Sequence, residues 1–313
     1  MPLDPRIEQA LARLPPRPDV TGTPAERRAL AAARSAEVAA ALPSPAAPVA
    51  DERDILVPTV TGGVPIRVYR PAEGLLPGYV FMHGGGWWLG TLDESDTLCR
   101  RRAADLGCVV VSVDYRLAPE HPFPAPLDDC WAAVQWVFDN ADELGIDPAR
   151  IAIGGGSAGG NLAAAVALLA RDERPLPIVA QVLEVPATDL TLTTCQGSAT
   201  ECAEGYGLTR ADLEECAGFY VGDHDPKDPL LSPLLSDLHD LPPALVTVAE
   251  YDPVRDDGVA YAEKLIEAGV PTRLLHFDGQ VHGSYEMDVI VPDVAASFRA
   301  HLREFLGKAF ARQ

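Results

Sequence analysis

Two hydrophobic rhythms divide this chain. Ile55–Val60 and Pro65–Arg70 alternate apolar and polar residues, the pattern of antiparallel strands at a sheet edge, with Thr61-Gly62-Gly63 as the turn between them. Six continuous apolar runs follow: Tyr79–Met82, Val109–Val113, Ile151–Ile153, Ile178–Leu183, Ala244–Ala249 and Arg273–Phe277. Such runs suit strands covered on both faces of a parallel sheet. Helical stretches lie between most of them, near 95–106, 126–143, 158–172, 254–269 and 293–311. Repetition of strand, helix, strand predicts a doubly wound α/β sheet with right-handed crossovers.

Two segments stand outside that rhythm. Residues 1–45 read as two helical pieces, the second an alanine-rich stretch over Arg27–Leu42 that Thr23-Pro24 caps and starts. Pro43–Ala50 then serves as a linker. Residues 187–240 are too long for a simple crossover and hold a helix candidate at Thr209–Tyr220. The expectation is a core of 46–186 and 241–313, with 1–45 and the 187–240 insertion forming a cap over the sheet.

The sharpest chemical signal is Ile151–Ala170, where a short apolar strand runs through Gly155-Gly156-Ser157-Ala158-Gly159 into an alanine-rich helix. This is G-x-S-x-G in strand–turn–helix context, the setting of a serine nucleophile. The competing reading is a glycine-rich loop that binds phosphate at a helix start, although it lacks the lysine of a P-loop. A second run discriminates. The strand Tyr79–Met82 ends in His83-Gly84-Gly85-Gly86-Trp87, an H-G-G-G loop whose backbone amides can converge on one oxyanion. Gly85 and Gly86, with Ala158, are the expected donors.

A serine nucleophile needs a base and an orienting acid. Of seven histidines, His282 occupies the loop directly after the last strand, at the carboxyl edge where doubly wound sheets place their sites. His276 reads instead as a satisfied core residue, and His83 as a group that positions the glycine loop. Asp252 leaves the preceding strand, whereas Asp256 and Asp257 fall in the next helix and are expected to cap or solvate it. The order Ser157, Asp252, His282 is that of this kind of triad. Trp87, Trp88, Tyr206, Phe219 and Tyr220 are candidate pocket walls, with simple core packing the equal alternative.

Composition narrows the partners. Forty-six acidic residues against 25 basic ones give a net charge of −21, which disfavours nucleic acid and anionic membrane surfaces. The six cysteines form no C-x-x-C pair and no zinc-like spacing, so a reduced cytoplasmic setting without a metal is expected. No run is apolar for long enough to span a bilayer, and the N-terminus has no signal-like apolar stretch.

HGGGW (83–87), DYRLAPEHPFPA (114–125), GGSAGGNLA (155–163), EYDPVRDDG (250–258) and VHGS (281–284) together resemble the bacterial hormone-sensitive-lipase family of carboxylesterases. The resemblance implies an α/β-hydrolase fold, a mostly parallel sheet of about eight strands flanked by helices, with a helical cap. It also implies hydrolysis of short- to medium-chain acyl esters by a serine esterase through an acyl-enzyme intermediate, on a small-molecule ester substrate and with no cofactor. Two departures stand out. Gly156 replaces the usual aspartate of the elbow, which removes a supporting hydrogen bond. Ser284 replaces an aromatic residue beside the base, which is expected to make the pocket there roomier or more polar, as in heroin-esterase-like acetyl esterases. An amidase or peptidase with the same triad, and a non-catalytic ligand-binding protein on the same scaffold, remain the alternatives. A homodimer is left open.

Overall fold

The computed structural model describes residues 1–13, 22–41, 46–60 and 62–311. Thr61 of the expected hairpin turn, and 43–45 of the expected linker, lie outside the described residues.

Eight strands form one sheet: β1 Asp51–Val57, β2 Val64–Arg70, β3 Leu76–Met82, β4 Val109–Val113, β5 Ile146–Gly156, β6 Ile178–Glu184, β7 Ala244–Tyr251 and β8 Thr272–Val281. Their order is β1-β2-β4-β3-β5-β6-β7-β8. β1 and β2 pair antiparallel, as does β2 with β4, and the remaining neighbours are parallel. Helices cover both faces. α4 (Ala125–Asp139), α6 (Ala158–Asp172) and α9 (Arg255–Glu267) lie on one side, while α3 (Leu92–Leu106) and α10 (Pro292–Phe310) lie on the other. Side chains alternate between these two cores as a pleat requires. Val80 and Met82 of β3 join the α4–α6–α9 core, and Tyr79 and Phe81 join the α3–α10 core.

Central strands match the expectation of two covered faces, and all five residues of β4 are buried. β8 does not. As the last strand it pairs only with β7, its first half is only partly buried, and His276 is exposed. The apolar run Arg273–Phe277 therefore marks an edge strand, and His276 is not a core residue. The helical stretch expected at 126–143 is interrupted at Asn140, beyond which a separate short turn, α5 (Ala141–Leu144), leads into β5.

The remaining helices gather near the carboxyl ends of the strands. α1 (Pro5–Arg13) hangs beside β8, with the Asp4 N–H donating to the Gly279 carbonyl and Ile7 buried against Val281 and Val291. α2 (Pro24–Ala41) opens with Thr23 and Glu26 bonding each other's backbone N–H groups. Between β6 and β7 come α7 (Gln196–Glu201), which the sequence pattern does not reveal, and α8 (Arg210–Val221), started by a Thr209–Asp212 capping box. The flanks of this insertion are core rather than cover: Thr188 to Leu190, Leu231, Leu234, Leu238 and Leu241 are all buried. Asp257 is buried with them, because its carboxylate accepts the Thr188 and Asp189 N–H groups at 3.0 and 3.1 Å. It neither solvates nor caps α9. All six cysteines are buried and unpaired.

Candidate active site

β5 delivers Ser157 at the bend into α6. The residue has φ 55° and ψ −117°, a conformation that costs energy in any side-chain-bearing residue and is held only because its surroundings dictate it. Its N–H donates to the Glu184 carbonyl at 2.7 Å. The bend is too crowded for larger neighbours. A Cβ on Gly155 would stand 2.4 Å from the Gly159 backbone, and one on Gly159 would stand 2.0 Å from the Met82 carbonyl oxygen. Position 156 is different, since a Cβ there would meet nothing within 4 Å. Sterics therefore leave room for the aspartate that the family resemblance expects.

The glycine loop after β3 lies against this bend, with the Cβ direction of Gly84 3.6 Å from the Ser157 Cβ. Gly85 and Gly86 adopt φ of 118° and 59°. Among the described residues no backbone carbonyl accepts from the N–H of Gly85, Gly86 or Ala158. Beneath the loop, His83 stacks on Tyr115 with ring centroids 4.3 Å apart, and its Nδ1–H donates to the Gly84 carbonyl at 2.8 Å. The Tyr115 hydroxyl donates in turn to the His83 carbonyl. Burial holds the His83 imidazole neutral, its pKa lowered to about 4.

β7 and β8 supply the other two groups. His282 follows β8, and its Nδ1 lies 2.7 Å from Asp252 Oδ2. Asp252 is fully buried and also accepts the Val254 N–H through Oδ1, which fixes the carboxylate. Donation from Nδ1–H to a carboxylate sets the tautomer and leaves Nε2 as the basic nitrogen. Ser157 and His282 line one cavity of about 1100 Å³. The other histidines are elsewhere: His121, His224 and His239 are exposed, and His301 lies against Arg273.

The cavity wall differs from the aromatic set expected. Trp88 lines it. Trp87 and Tyr220 do not, because they stack on each other at 4.7 Å inside the core. Phe219 packs edge-on behind Trp88, and Tyr206 stacks on Tyr251 outside the lining. Ser284 is also absent from the wall. It is fully buried, accepting the Val281 N–H and donating to Gln280 Oε1, so it tightens the turn that carries His282. Leu11, Leu30, Leu89, Val185, Leu208 and Cys216 supply apolar lining that sequence reasoning missed. They come from six separated segments with no shared motif. Glu184 and Glu286 also line the cavity.

Among the described residues no group of three or more histidine, cysteine, aspartate or glutamate side chains could hold a metal ion, and no helix is long and apolar enough to cross a membrane.

Comparison with known proteins agrees with this architecture. Residues 79–286 match the family described as alpha/beta hydrolase fold. The chain is 47% identical over 241 residues to carboxylesterase NlhH of Mycobacterium tuberculosis, covering 74% of each protein. It is 44% identical over 242 residues to an arylesterase of Saccharolobus solfataricus, covering 76% of this chain and 78% of that one. A hyperthermophilic esterase of the archaeon Pyrobaculum calidifontis superposes with a TM-score of 0.91 at 38% identity, over 99% of this chain and 100% of that structure. The chain belongs to the alpha/beta hydrolase fold family, among the carboxylesterases related to hormone-sensitive lipase.

Proposed function

We propose that this carboxylic ester hydrolase acts through Ser157 as nucleophile, His282 as general base and Asp252 as the acid that orients it. The observation that carries the reading is the 2.7 Å contact between His282 and buried Asp252, beside a strained serine in the same cavity. His282 Nε2 takes the Ser157 proton as Oγ attacks the ester carbonyl carbon. The N–H groups of Gly85, Gly86 and Ala158 receive the developing oxyanion, each donor contributing roughly 3 kcal/mol to lowering the barrier. His282 then protonates the departing alcohol. The same imidazole activates water, which releases the acid and regenerates the serine.

The substrates are short- to medium-chain acyl esters, which a cavity of this size admits. α1, α2 and the α7–α8 segment act as its cap, because Leu11, Leu30, Leu208 and Cys216 bring their residues to its wall. Six free thiols suit a reducing cytoplasm.

Ser157→Ala tests the reading. Hydrolysis of p-nitrophenyl butyrate should fall by at least about 10⁴-fold, with circular dichroism and melting temperature kept. Retained turnover would remove Ser157 from the mechanism.

A further inference from the structure

One wall of the catalytic cavity carries charge where the fold calls for apolar residues. Ala180 and Val182 of β6 point into the α3–α10 core, and the pleat sends Glu184 to that same face. Its side chain is only 2% exposed, and it meets the equally buried Arg102 of α3, 4% exposed. Arg102 Nη2 lies 2.8 Å from Glu184 Oε2 and 2.7 Å from Glu286 Oε1, while Nη1 faces the Tyr79 hydroxyl at 3.4 Å. The guanidinium also sits over the Phe81 ring, 4.5 Å from its centroid. One carboxylate would neutralise the arginine, yet two are present. Glu184 and Glu286 are both among the residues that line the cavity and Arg102 is not, the Glu286 side chain being the more open of the two at 25% exposure. The carboxylate a substrate can reach is therefore that of Glu286, with Arg102 and Glu184 buried beside it.

We propose that Glu184 and Glu286, held by Arg102, form a specificity determinant that admits esters bearing an ammonium group and rejects esters bearing a carboxylate. This rests on the esterase reading above and names a substrate class for the same cavity. Arg102 is matched by one carboxylate, so a second positive charge lets the other carboxyl ionise, whereas a substrate anion would find no unmatched cation beside the pair. Burial also pushes the Glu184 carboxyl up to about 8, so it stands ready to give up a proton when a cation arrives. Arg102 on α3 bonds both carboxylates, with Tyr79 from β3 and Tyr285 from the turn after β8 as uncharged neighbours, and Arg101, Asp105 and Arg299 line the groove on the α3–α10 side of Glu286, where both arginines meet Asp288. The arginines among the residues that line the cavity, Arg27 and Arg34, come from α2. Of these Arg27 is paired with Glu215, so it adds no free cation opposite the pair.

The test compares kcat/KM, by pH-stat titration, for esters matched in shape and differing in charge. Butyrylcholine against 3,3-dimethylbutyl butyrate probes the alcohol arm. Ethyl 4-(trimethylammonio)butyrate against ethyl 5,5-dimethylhexanoate probes the acyl arm, with ethyl hydrogen glutarate as the anion. The cation should be favoured about tenfold on at least one arm, as expected for a charge pair several ångströms apart in a partly desolvated site. That ratio should fall below about twofold in Glu286→Gln and in Glu184→Gln/Glu286→Gln. The variants change the net charge of −21 by only one or two, so such a fall belongs to these residues and not to the protein's overall field. Should the double variant fail to fold by circular dichroism, Glu286→Gln decides alone, since it leaves the Arg102–Glu184 pair in place. A wild-type enzyme that hydrolyses the neutral esters without favouring the cation on either arm would overturn the proposal, as would a preference that survives in the folded variants. Failure on the neutral esters as well would instead sink the esterase reading.

Discussion

At the scale of single residues, the fold buries acids and a base in their neutral forms, and pH exposes the cost. Asp257 is fully buried, and its pKa is pushed up to about 8, chiefly by burial. In the unfolded chain an aspartate ionises near 4, so between about 4 and 8 the folded protein keeps a proton that the unfolded one has lost. Its contribution is fully present below the unfolded value and is lost as pH rises through the folded one, at about 1.4 kcal/mol per pH unit where the slope is steepest. Glu184, raised to about 8, acts with the same sign. His83, lowered to about 4, works the other way: its contribution is complete above about 6.5 and is lost as pH falls through 4. Urea midpoints should therefore decline from pH 6.5 to 8 and level off beyond. Asp257→Asn, which mimics the neutral acid, should make that decline shallower. A wild-type midpoint equal at the two pH values would show that these carboxyls are not buried as described. This residue also marks a limit of sequence reading. Ser157, Asp252 and His282 each announce themselves at the end of a strand. Asp257 sits one helical residue from Asp256, and nothing local says that only one of the two meets the backbone of a segment some 70 residues earlier.

Among the elements, what lies in the sheet was legible and what lies over it was less so. Every strand overlaps an apolar run or an alternation, because burial on a sheet face imposes composition directly, but the largely exposed β1 runs over Asp51–Val57 and not over the expected Ile55–Val60. Lengths were underestimated where pairing continues through polar or turn-like residues, as at Leu76 opposite Ile146. The cavity wall was not legible, because which face of Trp87 or Trp88 meets solvent depends on partners far along the chain. α2 illustrates the difficulty. Its composition predicts a helix, but none of its described side chains is fully buried. It docks through polar groups instead. Arg27 pairs with Glu215 of α8 and lies over Trp88, 4.9 Å from the ring centroid. Arg28 donates to the Trp88 and Ala118 carbonyls and to Glu120. With so little apolar contact, α2 should open well before the sheet. Arg28→Ala should make it the first site of tryptic cleavage and raise KM more than it lowers kcat. Cleavage beginning in the sheet of that variant would contradict this account of how α2 is held.

Considered whole, the molecule carries 21 more acidic than basic side chains, and many of its arginines are already shared between carboxylates. Arg67 meets Asp54 and Asp93, and Arg100 meets Asp96 and Glu52. Exposed pairs of this kind contribute little individually, whereas unpaired like charges repel over the whole surface. Raising sodium chloride from 10 to 200 mM, which shortens the screening length to about 7–10 Å, should therefore raise the melting temperature. A fall would mean that the ion pairs outweigh the repulsion. The six sequestered cysteines have a consequence of their own. Burial lifts Cys99, Cys108, Cys195 and Cys216 to about 12 and Cys202 to about 11, and raises Cys130 well above the ordinary thiol range, so at pH 8 almost no thiolate exists in the native state. A disulfide dye such as Ellman's reagent should stay colourless with the intact enzyme and register six equivalents once the chain is denatured. The protein thus carries an internal tally of its own opening, distributed from α3 to the α7–α8 segment, and the order in which the six signals appear would report which part lets go first.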